Sequence, residues 1–245
     1  MCLIVMAHRV VPGTPVVVAA NRDEQRARPS ESIQLLETGP PRLAGGKDLS
    51  AGGTWMAIGE HGLVVGLTNQ RGADGPAANR RSRGEIPLLL GSAPSAREAA
   101  QRASALDPTL YNPCTLFIAD REEAFYAELV DTPRVRALRS GIHVLENRLL
   151  DQPSPKAHRV RERLGALEER EELKEHLISV VADPTIPEAP SSDRPAALNA
   201  ARVDLGDYGT RSATLIFLRE HGDPEIWHCD TPPGLGEFTR RAPFD

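Results

Sequence analysis

The sequence is short of the residues that build cross-links and metal centres. Its 245 residues hold three cysteines, Cys2, Cys114 and Cys229. A sparse, odd set with no CxxC pair excludes a disulfide scaffold, a zinc ribbon and covalent c-type haem attachment. It suits a reducing cytoplasm. The seven histidines are scattered, with no HExxH and no facial triad, so no metal site is expected. No apolar stretch reaches about 18 residues, so no stable membrane insertion is expected. The apolar run LIVMA near the start is too short for a signal segment and lacks a basic leader. Walker, GxGxxG and GxSxG patterns are missing. The glycines of LAGGKDLSAGG (43–53) do not follow the P-loop order and read as a mobile loop. The net charge of -5 offers no basic field for a nucleic-acid backbone. The one basic cluster, NRRSRG (79–84), reads as a solvated loop.

What is present is an ordinary globular balance, 40% hydrophobic and 26% charged, with the length to bury a core. No linker or internal repeat divides it, so residues 1–245 read as one domain. CLIVMAHRV and PVVVAA flank Pro12-Gly13 and predict an antiparallel hairpin. Residues 25–52 are rich in Gly, Pro and Ser and predict an irregular loop, with one short strand at SIQLLE. A second hairpin lies around Glu60-His61-Gly62. The pattern turns helical over 83–106, with Ser95 as an N-cap. Strands resume at CTLFIAD, AFYAELV, VRAL and GIHVLEN. Residues 156–182 carry leucines near helical spacing and predict two helices or one broken one. Residues 183–200 read as a surface loop. RSATLIFLRE and PEIWHCD predict a last hairpin, before an irregular tail. Strand runs alternate with helix runs, without βαβ repetition. That defines an α+β domain of mainly antiparallel sheets covered by helices.

The chemistry starts at Cys2. Aminopeptidases trim methionine before small residues, and removal of Met1 makes Cys2 the N-terminus. One residue then carries a thiol, pKa about 8.5, and an α-amine, pKa about 8. The amine takes the thiol proton, so nucleophile and base are self-contained. The ordinary alternative is a buried apolar cysteine on a strand. The second strand ends in the polar cluster Asn21-Arg22-Asp23-Glu24. If residue i pairs with 25 − i across the hairpin, Cys2 lies opposite Asp23. Asp23 then holds or orients the α-ammonium, and Arg22 anchors a substrate carboxylate or carbonyl. The ordinary alternative is an exposed turn with an Arg–Asp ion pair, worth under about 1 kcal/mol. Two more strands end in asparagine, at Asn69 and Asn147. An amide donates hydrogen bonds without a charge cost, which suits an oxyanion hole, although each asparagine alone is a common turn former. Arg211, near the start of a strand, is a further cation for an anionic group.

Cys2, the NRDE cluster, GGTWMAIGEHGLVVGLTN and YGTRSATLIF together resemble the NRDE-motif family, over most of the chain. That family is similar to the N-terminal nucleophile hydrolases. The resemblance implies a four-layer αββα sandwich, two mainly antiparallel sheets between helix layers. More remotely the chain is similar to the bile-salt hydrolases and penicillin V acylases. The resemblance implies that Cys2 is the nucleophile and that Asp23 matches their aspartate, while Ala20 stands where they carry arginine. It implies that Asn69 and Asn147 are the oxyanion and positioning asparagines. Catalytic Cys2, Asp23, Asn69 and Asn147 are thus expected, with Asn21, Arg22, Glu24 and Arg211 around the substrate. Two activities stay open. One is hydrolysis of a linear amide or thioester, with no cofactor required. The other is non-catalytic binding and trafficking of haem or of an acyl-coenzyme A or other lipid in the same cleft, with Cys2 or His8 as an axial haem ligand.

Overall fold

A computed structural model describes residues 2–70, 76–167, 172–188 and 195–245, Cys2 through its main chain only. The chain opens on a long hairpin, β1 (Cys2–Val11) and β2 (Thr14–Gln25). It continues through β3 (Ser30–Glu37), β4 (Leu43–Asp48), β5 (Met56–Gly59) and β6 (Val64–Asn69). Two helices follow, α1 (Glu85–Gly91) and α2 (Ala96–Ser104). Then come β7 (Cys114–Ala119), β8 (Ala124–Leu129), β9 (Pro133–Ala137) and β10 (Gly141–Leu145). Helices α3 (Pro155–Leu164) and α4 (Leu173–Val181) precede β11 (Tyr208–Leu218), β12 (Glu225–Cys229) and β13 (Thr239–Arg241).

The strands form two antiparallel sheets. One has six strands in the order β10-β1-β2-β11-β12-β13, the other seven in the order β3-β4-β5-β6-β7-β8-β9. The apolar runs of β1 and β2 are continuous because both faces of that sheet are covered. Leu3, Val5, Ala7, Val17 and Ala19 pack with Val160, Leu164, Leu177 and Val180 of α3 and α4. The alternate residues Ile4, Met6, Val16 and Val18 pack against Met56, Ile58, Val64 and Phe117 of the other sheet. That second sheet turns Val65, Leu116 and Ile118 onto Ile86 and Leu90 of α1 and the alanine face of α2. The layers are therefore helix, sheet, sheet, helix, as expected.

Four details depart from the sequence reading. Residues 25–52 are not an irregular loop with one strand, since LAGGKD forms β4 beside β3. Its glycines are there for packing. A Cβ on Gly46 would enter the Trp55 ring, and one on Gly45 would meet the Met56 carbonyl. The tail contributes β13, paired to β12. Within 183–200, Ala196–Asn199 form a 3-10 turn with Leu198 buried; 189–194 lie outside the described residues. The hairpin register is also one residue off. Val11 pairs with Thr14, but His8 pairs with Val16 and Cys2 with Arg22. A bulge at Arg9-Val10 sets two residues against Pro15, with Arg9 in the left-handed region at φ 54. A bulge of this kind shifts all pairs beyond it by one. Asp23 is thus one step past Cys2, not opposite it.

Candidate active site

The hairpin carries Cys2 and the NRDE cluster to one end of the six-stranded sheet. Strand alternation splits the cluster between two faces. Arg22 shares the inter-sheet face with Ala20 and is 4% exposed. Its guanidinium lies 4.6 Å from the Trp55 ring centroid and 3.9 Å from Asp48. Gly46 on β4 makes room for that indole, which is the tryptophan of the GGTW stretch. Asp48 is pushed up by burial. The Arg28 hydrogen bond and the Ser50 and Ala51 N–H groups outweigh this and hold it below the ordinary carboxylate range.

Asp23 is buried at 1% exposure. Thr210 donates its hydroxyl to Oδ1 at 2.6 Å, and the Tyr208 hydroxyl donates to the Asp23 carbonyl at 3.0 Å. Lys156 Nζ stands 3.9 Å from Oδ2. Burial pushes the Asp23 carboxyl above its ordinary range, against the pull of the Lys156 ammonium and the Thr210 hydroxyl.

The other flank of Cys2 is β10. Ile4 pairs with Leu145, and the same register carried two residues further puts Asn147 level with Cys2. Asn147 donates Nδ2–H to the Asn69 carbonyl at 2.5 Å. Only an N–H can face that carbonyl, so the amide's orientation is fixed and one N–H remains. Thr68 donates to the Glu146 carbonyl at 2.9 Å, and Gln70 donates to the Glu146 and Arg148 carbonyls. These bonds tie the ends of the two sheets together beside Cys2.

Between the sheet ends lies a cleft of about 390 Å³. Arg22, Asp23, Trp55, Leu67 and Asn69 line it, with Glu24 and Arg28 to one side. NRRSRG is a loop at the surface, yet Arg80, Arg81 and Arg83 also rim this cleft. Gly53 brings the rim in. It takes φ +76, a Cβ there would strike the Gly84 main chain, and Thr54 N–H donates to the Gly84 carbonyl at 2.8 Å.

The structure therefore gathers the Cys2 main chain, Arg22, Asp23, Glu24, Asn69 and Asn147 at one end of the sandwich. It does not bring Asn21 or Arg211 into the cleft. Asn21 points to the helix layer and donates to the Val181 and Ala201 carbonyls, both at 2.8 Å. Arg211 sits in a bulge of β11, between the Thr210–Asp23 and Ser212–Arg22 pairs. Its guanidinium clamps the carbonyls of Gln25, Arg26 and Arg28. Both side chains are engaged in hydrogen bonds to main-chain carbonyls of the scaffold. His8 lies six residues along β1 from Cys2, about 20 Å away at strand rise, so the two do not share one site. The Cys2 side chain itself is outside the described atoms.

Sequence reasoning missed Lys156, Thr210, Tyr208 and Trp55. Lys156 had a signal. It falls on the helical face of Ala157, Val160 and Leu164, where a lysine requires a carboxylate partner. Cys114 and Cys229 are buried. Burial pushes the Cys114 thiol up to about 12, so it stays protonated and inert. Among the described residues no three His, Cys, Asp or Glu side chains gather as a metal site, and no helix is long and apolar enough to cross a membrane.

This architecture matches solved structures across nearly its whole length. The Caenorhabditis elegans N-acylethanolamine-hydrolyzing acid amidase ortholog aligns at TM-score 0.59 and 13% identity, covering 88% of this chain and 92% of that one. A mutant conjugated bile acid hydrolase from Clostridium perfringens aligns at 0.56 and 10% identity, covering 99% and 97%. The fold is that of the N-terminal nucleophile hydrolases. The sequence pattern of the family Transport and Golgi organisation 2 matches residues 1–228. A Bos taurus "Transport and Golgi organization protein 2 homolog" is 30% identical over 259 residues, 88% of this chain and 91% of that protein. The chain belongs to the Transport and Golgi organisation 2 family.

Proposed function

We propose that this chain is an N-terminal cysteine hydrolase of linear amides or thioesters, active once Met1 is removed. The observation that carries the reading is the register at the sheet end. Cys2 lies between Arg22 on β2 and the level of Asn147 beyond β10, one step from buried Asp23. The hydrolase names of the fold neighbours support the class of reaction.

In this reading the Cys2 α-amine takes the thiol proton and Sγ attacks the carbonyl carbon. The Asn69 amide and the remaining Asn147 N–H donate to the oxyanion. Collapse breaks the bond to nitrogen or sulfur, and the α-ammonium returns its proton to the leaving group. Water then attacks the acyl-enzyme thioester, giving its proton to the amine, and Sγ leaves. Asp23 holds the ammonium in place. The arginines at the rim favour substrates with an anionic group, as an acyl-coenzyme A has. A reducing cytoplasm keeps the thiol available.

The binding-and-trafficking alternative, with haem or a lipid as ligand, is carried by no particular contact in the cleft. Assay of wild type against a panel of linear amides and thioesters tests the reading. Turnover is expected for wild type, lost in Cys2→Ala and cut at least about 100-fold in Asp23→Asn. Turnover undiminished in Cys2→Ala overturns it.

A further inference from the structure

We propose that Lys156 is a positioning residue for the Cys2 nucleophile, acting through Asp23. The inference rests on the hydrolase reading above and adds a residue and a charge to it. Lys156 is the second residue of α3, behind the N-cap Ser154, whose hydroxyl accepts from Ala157 N–H. It is 1% exposed, on a helix face that otherwise packs into the apolar core. A cation is retained in such a place only with compensation. Its ion-pair partner among the described residues is Asp23, at 3.9 Å. Thr210 holds the other carboxylate oxygen.

The neighbouring charges have partners of their own. Glu146 pairs with Arg148 at 3.4 Å, and Asp183 with Arg159 at 2.7 Å. Glu24 faces Arg28, and Arg22 lies across β2 against Trp55. Tyr208 meets the Asp23 main chain. Lys156 is thus a charge set against Asp23 from the helix layer. Its charge favours the ionised carboxylate against the effect of burial, and the ionised form is the one that can hold the α-ammonium. The lysine's positive charge also favours the neutral amine and the thiolate, the forms the reaction needs.

A purely structural ion pair predicts something different, and two variants separate the ideas. Lys156→Met strands a buried carboxylate and lowers stability. Asp23→Asn with Lys156→Met removes both charges and restores it. The readout is the pH profile of Cys2 alkylation by iodoacetamide, located by peptide mapping on protein lacking Met1. It needs no substrate. Lys156→Met is expected to move the profile up by about one pH unit, a tenfold slower reaction near neutrality, and the double variant, which also removes the opposing Asp23 charge, is expected to move it less. Lys156→Arg keeps the cation and is expected to hold the wild-type profile. If Lys156→Met folds and keeps the wild-type profile, or if the double variant and Asp23→Asn share one profile, Lys156 has only a structural role and the proposal falls, while the hydrolase reading stands. A wild-type Cys2 inert to alkylation across the range overturns both.

Discussion

Buried His228 should make the fold acid-labile by a calculable amount. The ring is 1% exposed, between Thr214 Oγ1 at 2.9 Å from Nδ1 and Asp230 Oδ1 at 3.2 Å from Nε2. Thr214 and His228 are cross-strand neighbours on β11 and β12. Neutral imidazole fits these partners, since Nε2–H donates to the carboxylate and Nδ1 accepts from the hydroxyl. Burial pushes the pKa from 6.5 down to about 4. Asp230 resists this, but Arg241 shares Asp230 at 2.6 Å and opposes the imidazolium. A depressed histidine pKa means the unfolded chain binds the proton first. The stabilising contribution is whole above about 6.5 and drains as pH falls toward the folded value. Linkage gives a loss of about 2.5 kcal/mol between roughly pH 7.5 and roughly pH 4.5. His8 and His143 are also depressed by burial and act in the same direction, while Asp23, raised by burial, acts the other way. Wild type alone therefore does not isolate the residue. His228→Gln keeps a polar group of similar reach and cannot titrate. Urea unfolding of both proteins across that range should show wild type losing about 2.5 kcal/mol more than the variant. Parallel stability curves would refute the reasoning.

Gly53→Ala meets the Gly84 main chain and forces a left-handed alanine. It should cost about 3 kcal/mol in urea unfolding and loosen the arginine rim; a loss under about 0.5 kcal/mol contradicts the packing account. Arg211→Met removes the clamp on three carbonyls after β2. It should lower stability by about 1–2 kcal/mol with KM unchanged, and a raised KM at wild-type stability would return Arg211 to the substrate site.

Much of the fold was readable because the chain states it plainly. The apolar runs around Pro12-Gly13 mark β1 and β2, and the spaced leucines of 156–182 mark α3 and α4. What failed depended on contacts between distant segments. Gly45 and Gly46 look like loop residues until Thr54, Trp55 and Met56 are seen packed on them. Arg9 gives no local sign that its bulge will move Cys2 from Asp23 to Arg22. The site was legible as a set of strand ends, because NRDE, Asn69 and Asn147 each close an apolar run. Their division was not. Asn21 answers to α4, and a bulge in β11 turns Arg211 to a loop while Thr210 reaches Asp23. The motif arginine drew the eye, and the threonine beside it makes the contact.

Intact mass after exposure to a short acyl thioester tests most directly whether Cys2 is an N-terminal nucleophile. Acid-quenched protein is predicted to lack Met1 and to carry one added acyl group, mapped to Cys2 and absent from Cys2→Ala. Mature protein that keeps Met1, or that never gains the acyl mass, contradicts it.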